Sequence, residues 1–168
     1  IRSTMEEYLN SGVLQSKGEG FVLVRRSCMG KTRLGLVMAL DLEAYDYSKG
    51  SEALIRASEG TVVERIPPRL RIRWGAPIEL PHILVLIDDP ARSVIEPLAA
   101  KTAGLEQVYD VELMQGGGHV TGYFINDDAQ IQAILDALAG VKAAAGYRGK
   151  LPTQTRRPVL AGLRTRAF

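Results

Sequence analysis

Arg56, Arg65, Arg69, Arg71 and Arg73 fall within eighteen residues, in the stretch LIRASEGTVVERIPPRLRIR, beside Glu59, Thr61 and Glu64. A guanidinium is a fixed fork that binds carboxylate or phosphate oxygens two at a time, so several on one short segment point to a built anion site. The loop Ser58-Glu59-Gly60-Thr61 adds a carboxylate, a flexible glycine and two hydroxyls. Such a loop can present backbone donors and a general base together. Arg56, Thr61, Arg65 and Arg69 are therefore the candidate anion and phosphate ligands, and Glu59 is the candidate catalytic residue. A competing reading pairs Arg56, Arg65 and Arg69 with Glu59 and Glu64 across a sheet and leaves the other arginines solvated.

These residues must be carried by a folded framework, and the composition can supply one. A chain of 168 residues, 46% hydrophobic and 24% charged, can fill a single core, which excludes wholesale disorder. No apolar run approaches the roughly 18 residues that span a bilayer. No secretion signal is recognisable either, and a cytoplasmic protein is expected. Cys28 is the only cysteine, so no internal disulfide can form. The chain opens at Ile1 inside what reads as a helix already under way, and a shortened front is expected.

Charge divides the chain. Residues 1–147 carry 15 basic and 19 acidic side chains, whereas residues 148–168 carry six basic ones and no acid. Pro152 and Pro158 interrupt this tail and its apolar residues have no period, so 148–168 is expected to be a basic, unpacked tail. Residues 1–147 then form part of one domain.

Within that part, residues 2–9 read as a helix ending near Asn10-Ser11-Gly12. FVLVRRSC (21–28) and TRLGLVMALDL (32–42) read as the arms of a hairpin. Pro67-Pro68 forbids a helix running through the arginine segment. RLRIR after it alternates like a half-buried strand, with a helix beginning at Pro68 as the alternative. HILVLIDD (82–89) reads as the strongest strand, followed by a helix capped by Asp89, interrupted by Pro97 and closed at Gly104. EQVYDVELM (106–114) and HVTGYFIND (119–127) make a second hairpin around three glycines. A last helix, capped by Asp127 or Asp128, places Ile131, Ile134, Leu135 and Leu138 on one face. Hairpins with helices, without regular βαβ units, predict an α+β fold with a mainly antiparallel sheet.

Two motifs invite stronger readings and fail them. MGKT (29–32) lacks the upstream glycine of a P-loop, since Arg25 stands there, and a hairpin turn is expected. GGGH (116–119) lacks the following helix that would supply a phosphate field, and again a turn is expected. His82, His119, Asp88, Asp89, Asp110 and Glu112 match no metal signature in their spacing, so no metal site is assigned.

The stretches IRASEGT, ERIPPR, ELPHILVLIDDP and the YDVELM hairpin resemble the bacterial and archaeal domain-of-unknown-function family 1015, over about residues 1–145. Another branch of that family carries His-Glu-x-Thr where this chain has Ser58-Glu59-Gly60-Thr61, followed by an arginine aligned with Arg69. The resemblance thus carries over Glu59, Thr61 and Arg69, and not the histidine. It also implies kinship with the superfamily of ParB nuclease-like, sulfiredoxin and free-serine kinase domains. A later Asp-Gly-Asn-His-Ser or Asp-Gly-His-His-Arg motif of those relatives, which covers a nucleotide phosphate, has no counterpart here. The tail therefore reads as a truncated or frame-shifted end, and half of the implied active site is expected to be missing.

The leading expectation is a partial protein that binds a nucleotide or phosphorylated metabolite, with phosphotransfer as the reaction of the complete form and magnesium and ATP as candidate cofactors. The rival is a non-catalytic ParB-like module binding nucleic acid or acting in regulation. A product with no function of its own is the third.

Overall fold

The computed structural model describes residues 1–39, 45–46, 48, 55–56, 62–78 and 84–143. Helix α1 (Arg2–Asn10) leads, as the sequence predicts, and carries an Arg2–Glu6 ion pair one turn apart at 2.9 Å. Strands β1 (Phe21–Cys28) and β2 (Lys31–Val37) follow as an antiparallel hairpin. Met29 (φ 50°) and Gly30 (φ 70°) both lie in the left-handed region, the pattern of a two-residue I′ turn, with Cys28 opposite Lys31. MGKT is thus a hairpin turn.

Strand β3 (Tyr45–Asp46) pairs in parallel with β4 (Ile55–Arg56). A short 3₁₀ turn at Val63–Arg65 then runs into α2 (Ile66–Arg73). The strand expected over RLRIR is therefore a helix, and it begins two residues before the Pro68 start of the alternative reading. The two prolines fit because the first four N–H groups of a helix have no partner inside it, so rings that lack the donor lose nothing there.

Of the strand expected over residues 82–89, the described part, 84–89, forms only β5 (Ile87–Asp88), paired with β8 (Lys142–Ala143). Leu84 is 82% exposed, and Leu84, Val85 and Leu86 belong to no strand. The long helix expected after Asp89 is also absent. Arg92 sits at φ 53°, a conformation no right-handed helix can pass through, and the segment forms the single turn α3 (Glu96–Ala99), with Pro97 in it, and a 3₁₀ turn at Thr102–Gly104.

The second hairpin agrees with expectation. Strand β6 (Glu106–Leu113) pairs antiparallel with β7 (Gly118–Ile125), and the Asp127 carboxylate caps α4 (Asp128–Gly140) by accepting from the Gln130 amide at 2.9 Å. A bulge between Gln107 and Tyr109 inserts one unpaired residue into β6.

Strands β1, β2, β6 and β7 form one antiparallel sheet in the order β2-β1-β7-β6. The fold is α+β. On one face Phe21, Leu23 and Ile125 are fully covered and pack with Ile134 of α4, while Ile95 and Leu98 close the cluster from the α3 segment. On the other face Val22 and Phe124 gather Val24, Val37 and Val108. The Tyr109 ring lies so close over Gly122 that a β-carbon at that position would occupy the ring's space. Among the described residues no helix is long and apolar enough to cross a membrane.

Candidate functional site

Of the residues expected to bind an anion, Arg65 and Arg69 lie on the helical segment around α2, and Arg56 lies on β4. Glu59 and Thr61 are outside the described residues, as are His82 and the tail. Helical spacing changes the grouping of the arginines. Residues four apart stand one above the other on a helix, so Arg65, Arg69 and Arg73 share one side and Arg71 turns away. Helix α2 contains no acidic residue, and among the described residues neither Arg65 nor Arg69 makes an ion pair. The cross-sheet pairing with Glu64 fails because these arginines are on a helix. Every side chain of α2 is exposed, and Trp74 beside it is 75% exposed.

A concave site lies elsewhere. Between the sheet and the segment after β5 is a cleft of about 730 Å³, walled by Arg25, Thr32 and Leu34 on one side and by Ile87, Arg92 and Ile95 on the other. Arg25 reaches it by strand parity. It follows Phe21 and Leu23 on the core side of β1 and stands opposite Leu34 of β2 and Thr121 of β7. The same face continues as a polar strip, where the Ser27 and Thr32 hydroxyls are 2.9 Å apart.

His119 stands beside Ser27 and opposite Glu112. Its Nε2 meets Asp110 at 2.5 Å and its Nδ1 meets Glu112 at 3.1 Å. The two carboxylates are thus on opposite nitrogens of the ring and do not converge on a point where a cation could sit. Among the described residues no group of three His, Cys, Asp or Glu is placed to hold a metal ion.

The far wall of the cleft is shaped by Asp89. Its carboxylate accepts hydrogen bonds from the Ser93 amide (2.7 Å), the Val94 amide (2.9 Å) and the Ser93 hydroxyl (3.0 Å). Burial pushes the carboxyl pKa up, but the donors of Val94, Ser93 and Arg92 outweigh it and bring the net value below the ordinary 3.8. A carboxylate depressed in the folded state stabilises the loop above its unfolded pKa, and that stabilisation fades as pH falls through the folded value. Hydrogen-exchange protection of the Ser93 and Val94 amides should therefore hold from neutral pH down to the ordinary carboxylate range and drop only below it. Loss of protection already near pH 6 would show that the carboxylate does not anchor the loop.

A family model described as "Protein of unknown function (DUF1015)" matches residues 1–145. The chain belongs to that family. No curated protein and no solved structure matches the chain.

In this DUF1015 chain the cleft was the part hardest to see in sequence. Arg25 looked like no more than a departure from the P-loop pattern, although the signal was present: an arginine two residues beyond Phe21 and Leu23 prolongs an apolar strand face with a charge. Arg92 gave no such signal, because its position depends on the turn that Asp89 organises.

Proposed function

We propose that the chain binds a nucleotide or another phosphorylated small molecule through the arginines of the α2 segment. The observation that supports this reading is the pair Arg65 and Arg69, one turn apart across the junction of the 3₁₀ turn and α2, neither of them in an ion pair among the described residues. Like charges at that spacing repel, and a bound anion relieves the repulsion. Arg56 on β4 and Thr61 complete the phosphate ligands in this reading, with Glu59 as base or magnesium ligand and phosphotransfer from ATP as the reaction of a complete protein.

Losing one charged donor to a phosphate costs about 1.5–3 kcal/mol, roughly ten- to a hundredfold in affinity. Arg69→Ala should weaken binding of Mg-ATP by that factor in equilibrium dialysis. Arg71→Ala, turned to the other side of the helix, should change it less than about threefold, within the scatter of a surface substitution. Equal losses in the two variants would reduce the effect to net charge and sink the reading.

The full exposure of α2 favours a second reading, a ParB-like module that follows an extended polyanion such as nucleic acid. Salt separates the two: affinity for nucleic acid falls steeply with log salt concentration. A nucleotide site depends instead on magnesium and on the identity of the base.

A further inference from the structure

The cleft between the sheet and the β5–α3 segment involves none of the residues of the α2 reading. Its walls combine an apolar part, Leu34, Ile87 and Ile95, with two arginines, Arg25 from the sheet and Arg92 from the loop. Among the described residues no hydrogen bond or ion pair engages either guanidinium. An anion that enters the cleft therefore meets two guanidiniums that no carboxylate among the described residues compensates.

The acids nearby do not supply that anion. The Asp89 carboxylate is spent on the amides of Ser93 and Val94 and on the Ser93 hydroxyl. Glu96 lines the cleft but is held to neither arginine.

Arg92 itself carries the second observation. At φ 53° it occupies backbone space that favours glycine, and residues kept in such conformations concentrate at binding and catalytic sites. A glycine would make the turn more easily, but it would bring no guanidinium to the cleft. The volume of about 730 Å³ is that of a small-molecule site.

We propose that this cleft binds a small molecule carrying one oxyanionic group, carboxylate or phosphate, on a compact apolar body. Arg25 and Arg92 take the oxyanion, and Leu34, Ile87 and Ile95 cover the body. Glu96 at the wall disfavours a ligand with several negative charges, which sets this site apart from a nucleotide triphosphate site.

The test is a titration of the isotopically labelled full chain with inorganic phosphate and, separately, with butyrate at constant ionic strength, following backbone amides by NMR. Saturable shifts of Thr32, Leu34, Arg92 and Ile95 are expected, and the probe that saturates at lower concentration identifies the oxyanion. Arg25→Gln and Arg92→Gly should each weaken that binding about ten- to a hundredfold. Arg92→Gly relieves the turn, so it should keep or raise the melting temperature while losing the ligand, a result that general unfolding cannot mimic. Arg69→Ala should leave these shifts intact even where it removes ATP binding, so this proposal and the α2 reading fail separately. Absence of saturable shifts at the cleft for both probes would overturn the proposal. So would parental affinity in Arg92→Gly.

Discussion

Phe21→Ala should lower the unfolding free energy by about 3–5 kcal/mol, the range for emptying a phenylalanine site in a core that cannot collapse around the void. Phe21 is 0% exposed and opens β1, opposite Ile125, so its ring is gripped by the sheet and by the cluster that includes Ile134 of α4. Domains of this size are held by about 5–15 kcal/mol in all, and the loss would leave a large fraction of molecules unfolded under mild denaturant. Urea titration followed by circular dichroism reads the change directly. Leu84→Ala, at a side chain 82% exposed, is the companion measurement and should shift stability by less than about 0.5 kcal/mol. Similar losses in the two variants would mean that the core has been placed wrongly.

Gly118→Ala is the second large effect, and it arises from the backbone. Gly118 has φ 85°, where a side chain costs about 1–2 kcal/mol. A β-carbon there would also collide with the Ser27 carbonyl oxygen and lie 2.8 Å from the Cys28 β-carbon, overpacking that adds about 1–3 kcal/mol. Together a loss of roughly 2–5 kcal/mol is expected. Gly116→Ala isolates the first contribution, since Gly116 has φ 68° but open space around its missing side chain, and it should lose only about 1–2 kcal/mol. If the two variants melt together, the close contact between the β6–β7 turn and the end of β1 does not exist.

The sequence was most legible where one local rule decided the outcome. Both hairpins could be read because Met29-Gly30 and the three glycines before His119 mark turns between strand-forming arms. Helix α4 could be read because Asp127 caps a run with Ile131, Ile134 and Leu135 at helical spacing. The readings failed where a pattern needed a partner that local sequence does not specify. Leu84, Val85 and Leu86 are as aliphatic as any strand, yet a strand exists only where a neighbour accepts its hydrogen bonds. RLRIR fits both periods, and what decides for the helix is that Pro67-Pro68 falls in its first turn. The arginines of the α2 segment could be singled out by type, but their division into a stripe and an outlier required knowing that the backbone is helical. The Arg25–Arg92 cleft depends on a long-range approach of loop to sheet, for which neither segment carries a motif.

The single extra residue in β6 has an effect out of proportion to its size. Gln107 pairs with Tyr123, but Tyr109 pairs with Gly122, so every position after the bulge has exchanged sides relative to an unbroken strand. With the insertion, Asp110 and Glu112 join Thr121 and His119 on the face that carries Arg25, and Tyr109 and Val111 fall on the valine face. Pair Val108 into a regular strand without removing it and the even positions trade places with the odd ones: two carboxylates would be driven among valines, and a tyrosine would stand over the polar strip. A strand with one residue fewer here would be regular and would keep every later residue opposite its present partner. A deletion at this point would therefore change the bend of the strand and not the side chains on its faces.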